Sequence, residues 1–455
     1  MNDLDVVILA AGKGTRMGSS IPKVLHNLAG KTLVEHAVQT AKELQPRNII
    51  VVVGYGEDKV KTALNGEQVV FVSQESQLGT AHAVQQALTK IEAKRTLILL
   101  GDVPRISVKT LETMLQTTDP VCVLTQSIED PSGYGRIIRD KNNKITSIVE
   151  EKDANAAERD IKETNTGIFC IETEVLEAFL SNLKNENATG EYYLTDVVAY
   201  ARSQNKAVNA EHPNWCYEAN GVNDKRQLAT MERQYQKEVA LKLLGDGVTI
   251  ADANRIDVRG NLKCGRDVSI DIGCIFEGDV KIGDNVTIEA YSIIRNSVIS
   301  SNTKICSYSH IKEASIGEHN EIGPYARIRP GTTSSSEVKI GNFVEVKASK
   351  ISKNSKANHL SYIGDADVGA SVNIGAGTIT CNYDGANKHK TVLEDNVFVG
   401  SDTQLVAPVK IGRGSTIGAG STITKDVPAN SLAITRAKQT IVEHWERPDK
   451  TKKQR

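Results

Sequence analysis

The chain has 455 residues, room for about three domain units. Its 55 Lys+Arg nearly balance 56 Asp+Glu, which excludes a protein that holds nucleic acid by bulk positive charge. With 39% hydrophobic and 24% charged residues the composition is that of a folded chain rather than a disordered one, and 4% aromatics leave the core to aliphatic side chains.

The first apolar run, residues 6–11, is far shorter than the ~20 residues of a membrane span. Asp3 and Asp5 stand where a signal peptide carries cations, so a cytoplasmic location without integral membrane contact is expected. Runs at 6–9, 48–53, 96–100 and 121–124 predict buried strands, and 32–43 and 80–87 predict helices. Their alternation predicts an α/β unit with a parallel sheet covered on both faces, binding ligands at the carboxyl ends of its strands. This first domain is expected to span residues 1–226. Seven scattered cysteines without a C-x-x-C pair predict neither a disulfide framework nor a zinc site.

Next comes a helix, expected over 227–247. Asn223 or Asp224 can cap it, Leu228, Met231, Tyr235, Val239 and Leu243 share a face, and Gly245 can end it. About 20 residues make a rod of roughly 30 Å, a spacer between the halves.

From 248 to 455 the periodicity changes to six. Apolar residues recur at Val258, Cys264, Ile270, Phe276, Ile282, Ile288 and Ile294, at Ile316, Ile322 and Ile328, at Ile340 and Val346, and at Val399, Leu405, Ile411, Ile417 and Ile423. A glycine often follows, as at Gly283, Gly317, Gly341, Gly400 and Gly412. A period of six is neither helix nor alternating strand; it predicts a parallel β-helix of hexapeptide repeats with one side chain per repeat turned inward. The rhythm lapses between about 350 and 395, where a site is expected. The basic stretch 447–455 reads as a frayed tail.

Two segments carry chemistry. LAAGKGTRM, Leu9 to Met17, follows the first strand; its small residues let backbone N–H groups approach an anion, and Arg16 with Lys23 of the following I-P-K can neutralise a triphosphate and its departing pyrophosphate. It is neither a Walker loop nor G-x-G-x-x-G. In the second half, His359 lies among polar and glycine residues, and an imidazole of ordinary pKa, about 6.5, suits removal of a proton from an amine. Glu345 is a candidate to orient it. Cys381 invites reading as a nucleophile, but direct transfer to an amine needs no acyl-enzyme.

L-x-x-G-x-G-T-R-M with P-K resembles the signature of sugar-1-phosphate nucleotidyltransferases. Gln74-x-x-x-x-Gly79-Thr80-Ala81, Gly101-Asp102-x-Pro104, Gly133-Tyr134-Gly135-Arg136, Glu150-Glu151-Lys152, Glu163-x-Asn165-x-Gly167 and Gly221-Val222-Asn223 extend the match. With the hexapeptide half, nearly the whole chain resembles the bacterial family of bifunctional N-acetylglucosamine-1-phosphate uridyltransferases and glucosamine-1-phosphate N-acetyltransferases. Arg105 departs from the pattern, an apolar residue being commoner there.

The resemblance implies a Rossmann-like nucleotidyltransferase domain, a linker helix and a left-handed β-helix, with three chains in a homotrimer and acetyl sites between subunits. It implies acetylation of glucosamine-1-phosphate by acetyl-CoA, then transfer of uridylyl from UTP to N-acetylglucosamine-1-phosphate, supplying peptidoglycan and lipopolysaccharide precursors. Leu9, Ala10, Ala11, Gly12, Lys23, Gln74, Gly79, Thr80, Leu100, Gly101, Asp102, Gly135, Glu150, Asn165 and Asn223 would bind UTP or the UDP-sugar, with Asp102 and Asn223 holding Mg²⁺ and Arg16 and Lys23 catalytic. Arg329, Lys347, Tyr362, Asn373 and Lys388 would bind the sugar phosphate of the second site, Ala376, Asn382, Tyr383, Ser401, Ala419 and Arg436 acetyl-CoA, and His359 would be the general base. Two other readings compete. A nucleotidyltransferase whose β-helix only oligomerises it would not need the polar interruption around His359, Tyr362 and Lys388. A non-enzymatic scaffold would not need Arg16, Lys23, Asp102 and Asn223.

Overall fold

The computed structural model describes residues 3–448 apart from Cys216. It divides into two compact units, Met1–Tyr235 and Gln236–Arg455.

The first unit is built on strands β1 (Leu4–Ala10), β2 (Asn48–Val53), β3 (Val70–Ser73), β4 (Arg95–Leu100), β5 (Val121–Ser127), β6 (Arg136–Arg139), β7 (Ile145–Val149), β8 (Glu163–Glu172) and β9 (Val208–Glu211). They run in the order β9-β5-β8-β4-β1-β2-β3, and the β6–β7 hairpin branches from β8. β1 lies parallel to β2 and β4, as expected. The sheet is nevertheless mixed: β8 runs antiparallel to both β4 and β5, which corrects the all-parallel expectation. The polar start of β8 (Thr164, Asn165, Thr166) hides it from a search for apolar runs, although all three side chains are buried.

Alternate residues of β1 feed two cores, Val6 and Ile8 on one face and Val7 on the other. Between them Asp5 is fully buried, its carboxylate accepting from the backbone N–H of Asn48, Glu92 and Ala93 at 2.9, 2.6 and 2.9 Å. These bonds satisfy the buried charge and tie β2 and the segment before β4 to β1. Helix Leu33–Glu43 starts in a capping box in which Thr32 and Glu35 bond reciprocally.

The long helix is Lys225–Gly245, and Asp224 caps it, accepting from the N–H groups of Arg226 and Gln227. It is not a bare rod. Met231, with Leu228 and Tyr235, packs on Leu28, Leu33 and Val222 of the first unit. Ala240 and Leu243 join the core of the second, and buried Gln236 bonds both the N–H and the carbonyl of Val258.

The second unit is a parallel coil with three faces, one an 11-stranded sheet and the other two joined in a 17-stranded ladder. Inward side chains stack in columns, one of them Ile270, Ile288, Ile305, Ile322, Ile340, Ala357, Ile374, Val399 and Ile417, all buried. The hexapeptide positions are buried except Cys264, which is half-buried. Some sides of the coil are one residue shorter, as from Val346 to Ile351, and Thr380 replaces an apolar inward residue. These substitutions erase the rhythm from the sequence while the coil continues. The expected break at 350–395 therefore shrinks to an excursion near 381–390. Hydrogen bonds between coils join residues 17 apart at Asp279 and Asn296 but 25 apart across the excursion, at Ala370 and Asp395.

The glycines after inward residues are demanded by close approach. A Cβ on Gly341 would lie 2.2 Å from the carbonyl oxygen of Asn358, and one on Gly400 2.5 Å from the nitrogen of Ala419. Most of the expected tail, residues 449–455, lies outside the described residues, as does Cys216.

Ile322→Ala opens a cavity in a column that neighbouring coils cannot close. It is expected to cost about 2–5 kcal/mol, read as a lower urea midpoint for the second unit.

Candidate active sites

In the first unit β1 and β4 end side by side, Leu9 pairing with Leu100, and the chain leaves both at their carboxyl ends. Gly101 donates its N–H to the Leu9 carbonyl at 2.9 Å, which brings Asp102 beside the loop that follows β1. The N–H of Val222 bonds the Asp102 carbonyl at 2.9 Å and delivers Asn223 to the same place. Lys23 forms an ion pair with Asp102, and its Nζ lies 3.2 Å from Asn223 Oδ1; Arg16 Nη2 donates to that same oxygen at 2.9 Å. Four residues from three segments far apart in sequence thus form one polar cluster. Gly12 and Arg16 are exposed, open to a ligand. Arg16 also lines a cavity of about 450 Å³ with Met17, Asp224, Lys225 and Arg226.

Gln74 is buried, and its amide donates to the Gly79 carbonyl at 3.2 Å and contacts His82 Nδ1 at 2.9 Å. Gly79 sits at φ +117° with its Cα against the Tyr192 backbone, where a Cβ would be 2.4 Å from the carbonyl oxygen. Thr80 accepts at 3.0 Å from the N–H of Leu194. The three expected base-reading residues are therefore adjacent.

Gly135 and Asn165 are joined by a backbone bond of 2.9 Å, and Glu150 lies against Gly135. The Asn165 side chain accepts from Gly167 N at 3.0 Å, where β8 shifts register. Glu150 is held above the usual carboxylate range by burial, with the charges of Asp196, Asp153 and Glu191 adding; a hydroxyl bond from Thr195, 3.0 Å to Oε1, opposes the rise. Sequence reasoning missed Thr195 and Tyr192, which no motif flags. Arg105, the departure noted above, lies over Trp215 and Tyr235, 4.6 and 5.4 Å from their ring centroids.

Among the described residues, no group of three or more His, Cys, Asp or Glu side chains could hold a metal. The oxygens of Asp102 and Asn223 do converge on one cation, the Lys23 ammonium. Two hard oxygen donors around a cation suit a Mg²⁺ that keeps its waters and substrate phosphates.

In the second unit the expected residues fall into two groups. His359 is exposed and pairs in register with Asn342; Ser361 donates to its carbonyl at 2.9 Å. Successive coils then place Ala376, Ser401 and Ala419 above it: Gly377 N–H bonds the Leu360 carbonyl, Asp402 N–H that of Ala376, and Gly420 N–H that of Ser401. Arg436 donates to the Ala419 carbonyl at 3.1 Å and continues the column. Asn373 is on this same face, paired with Lys356. A cavity of about 290 Å³ lies beside His359, with Gly323, Gly341, Asn342 and Asn358 in its walls.

The other group is cationic. Lys347 is 3.1 Å from Asp365, which also accepts from Asn382. Lys388, on the excursion, lies against Lys347, and that neighbour holds its ammonium below the usual lysine value. Tyr362 pairs in register with Glu345, two residues from Lys347, and Arg329 bonds Glu345 at 2.7 Å. Tyr383 is exposed at the base of the excursion, bridged to Lys388.

Glu345 and His359 lie on different faces of the coil. Glu345 belongs to the 17-stranded ladder, His359 to the other sheet, and Arg329 and Arg327 face the two oxygens of Glu345 at 2.7 and 3.8 Å. Cys381 is half-buried, and burial lifts its thiol above the usual range, against a thiolate. Sequence reasoning also missed Asp365, the acceptor at the centre of the cationic group.

The raised pKa of Glu150 makes a signed prediction. The folded state binds this proton more tightly than the unfolded chain, so the associated stability is present below the ordinary value of 4.5 and lost as pH rises through the folded value. Glu150→Gln is expected to melt higher than the parent at pH 7–8, with the advantage gone below pH 4.5, by calorimetry across that range.

Family comparisons agree with this division. Residues 6–157 match the MobA-like NTP transferase domain, residues 258–362 the GMPPB C-terminal domain, and residues 390–425 the bacterial transferase hexapeptide (six repeats). A bifunctional protein GlmU of Ralstonia nicotianae is 53% identical over 453 residues, 99% of this chain and 100% of that one. Those of Paraburkholderia phymatum and Herminiimonas arsenicoxydans are 54% and 52% identical over 452 and 453 residues, again 99% of this chain and 100% of theirs. The chain belongs to the GlmU family of bifunctional proteins.

Proposed function

We propose that each unit performs one of two consecutive transfers in UDP-N-acetylglucosamine synthesis, the second unit acetylating glucosamine-1-phosphate and the first joining the product to UTP. The chain is a bifunctional transferase, nucleotidyltransferase and acetyltransferase in one polypeptide. The observation that carries the uridylyl assignment is the meeting of Arg16, Lys23, Asp102 and Asn223 at the carboxyl ends of β1 and β4.

In uridylyl transfer the sugar phosphate oxygen attacks the α-phosphorus in line, and pyrophosphate leaves. Positioning and charge neutralisation dominate such a reaction. Gln74, Gly79 and Thr80 hold the uracil; Gly135, Glu150 and Asn165 hold the N-acetylated sugar. The backbone from Leu9 to Gly12 and the β4 end, Leu100 and Gly101, line the nucleotide. Arg16 and Lys23 take the phosphates and stabilise the leaving pyrophosphate. Asp102 and Asn223 would hold Mg²⁺, which when bound adds positive charge at the phosphate oxygens.

For acetyl transfer, His359 removes a proton from the 2-amino group as that amine attacks the thioester of acetyl-CoA. The column of Ala376, Ser401 and Ala419, ended by Arg436, supports a path for the long coenzyme, because small residues there leave its edge open. Asn382 and Tyr383 complete this coenzyme site. Arg329, Lys347 and Lys388 supply the positive charge that a sugar phosphate needs, with Tyr362 and Asn373 at the sugar.

The product serves peptidoglycan and lipopolysaccharide synthesis in the cytoplasm; no helix among the described residues is long and apolar enough to cross a membrane. The working form is a homotrimer with its acetyl sites between subunits. Sedimentation of the full chain, 49.3 kDa, is expected to give three times that mass.

Two variants test the division. His359→Ala is expected to lower acetyl transfer by about 10²- to 10⁴-fold, the usual worth of a general base, with uridylyl transfer unchanged. Asp102→Ala is expected to do the reverse. Separate assays of CoA thiol and pyrophosphate release check both, and loss of both activities in either folded variant would overturn the two-site reading.

A further inference from the structure

The Lys23 ammonium sits between the two oxygens assigned to the metal, Asp102 Oδ2 and Asn223 Oδ1, and Arg16 donates to the latter as well. This pair is screened from water, the Lys23 and Asp102 side chains being only 17% and 15% exposed. Two cations cannot share the same pair of oxygens in so enclosed a place, because their repulsion rises as water is excluded. We propose that Lys23 is a built-in counter-cation for the metal site: it holds Asp102 and Asn223 in place, and gives them up when a divalent ion binds. The inference rests on the reading of Asp102 and Asn223 as metal ligands.

The backbone confines this exchange to the end of the side chain. Gly14, at φ +62°, packs on the stem of Lys23 so closely that a Cβ there would lie 2.4 Å from Lys23 Cβ. The base of the side chain thus lies against the loop after β1, and the torsions beyond it carry the ammonium from one acceptor to another. The same loop is the one assigned to the phosphates, so the displaced ammonium has anions within its reach when the nucleotide is present. Lys23 then has two successive partners, a carboxylate and amide in the free enzyme and phosphate oxygens in the loaded one. The arrangement opposes metal binding without nucleotide and removes that opposition when nucleotide arrives. Divalent ion and nucleotide are therefore expected to bind with positive coupling.

The test measures metal binding directly, with Mn²⁺ as the probe and the full-length protein without nucleotide, free Mn²⁺ being read by electron paramagnetic resonance. Lys23→Met and Lys23→Gln are expected to bind Mn²⁺ at least about tenfold more tightly than the parent, because the competing charge is gone. Adding Asp102→Asn to Lys23→Met is expected to abolish the gain. If both neutral variants bind Mn²⁺ no more tightly than the parent while Asp102→Asn weakens its binding, the counter-cation proposal is overturned and the metal assignment stands. If Asp102→Asn changes Mn²⁺ binding in neither background, the metal assignment fails and the proposal falls with it.

Discussion

Parallel strand pairing holds both units in register, and the candidate functional residues lie where that pairing stops or turns. In the first unit, β1 and β4 end together, so the loop after one and the Gly101-Asp102 turn after the other share a space. In the second, coils repeat at 17 or 18 residues, and at 25 across the excursion, so a side chain at one corner has a counterpart at the same corner of the next coil. His359, Ala376, Ser401 and Ala419 are far apart in sequence and consecutive in space for this reason. A shift of one residue in any coil would turn its inward side chain out and break both column and core.

The two sites treat charge differently. Near Asp102 each charge has an opposite or a dipole within reach: Lys23 on the carboxylate, Arg16 and Lys23 on the Asn223 amide oxygen. Around Lys347 and Lys388 two ammonium groups face each other with Asp365 between, and Lys388 is consequently held below its usual value. Under the proposed assignment, a phosphate dianion entering there would relieve that repulsion. Glu150 is the mirror case: burial raises its carboxyl, the charges of Asp196, Asp153 and Glu191 add to the rise, and the Thr195 hydroxyl opposes it. Each unit thus contains ionisable groups perturbed by their surroundings, the kind of group that clusters at functional sites.

The repeat made the second unit legible, because inward positions must keep one volume from coil to coil and isoleucine or valine supplies it. The same periodicity misled where it lapsed. Ala357 and Thr380 still point inward, but neither is a large aliphatic, so a continuing coil reads as an interruption. In the first unit the strands feeding two cores were legible, while β8 was not: its first half carries polar residues, and its direction depends on partners distant in sequence. Motif residues met as anticipated around Asp102 and around Gln74. Glu345 and His359 take different faces, because strand spacing says nothing about which face of a three-sided coil a residue takes. Thr195 and Asp365 gave no signal at all; an acceptor or hydroxyl acting through a neighbour has no spacing of its own.

The shortage of aromatics has a geometric origin in the same coil. A triangular interior stacked at the strand spacing of about 4.8 Å admits one branched side chain per repeat, and a ring in every coil would not fit without opening the section. Among the described residues, Phe276 is the one buried phenylalanine in the inward core of this unit. Rings go instead to an edge. Tyr291, Tyr308, Tyr325 and Phe343 occupy equivalent corner positions at positive φ, half exposed, and stack with centroids 5.3, 4.9 and 5.2 Å apart. The repeat that excludes aromatics from the core also spaces these corners for stacking, so each ring covers its neighbour's face and recovers part of what burial would have given. Leu360 extends this edge to the residue beside His359, which ties the outermost ornament of the repeat to the position of the proposed base through register alone.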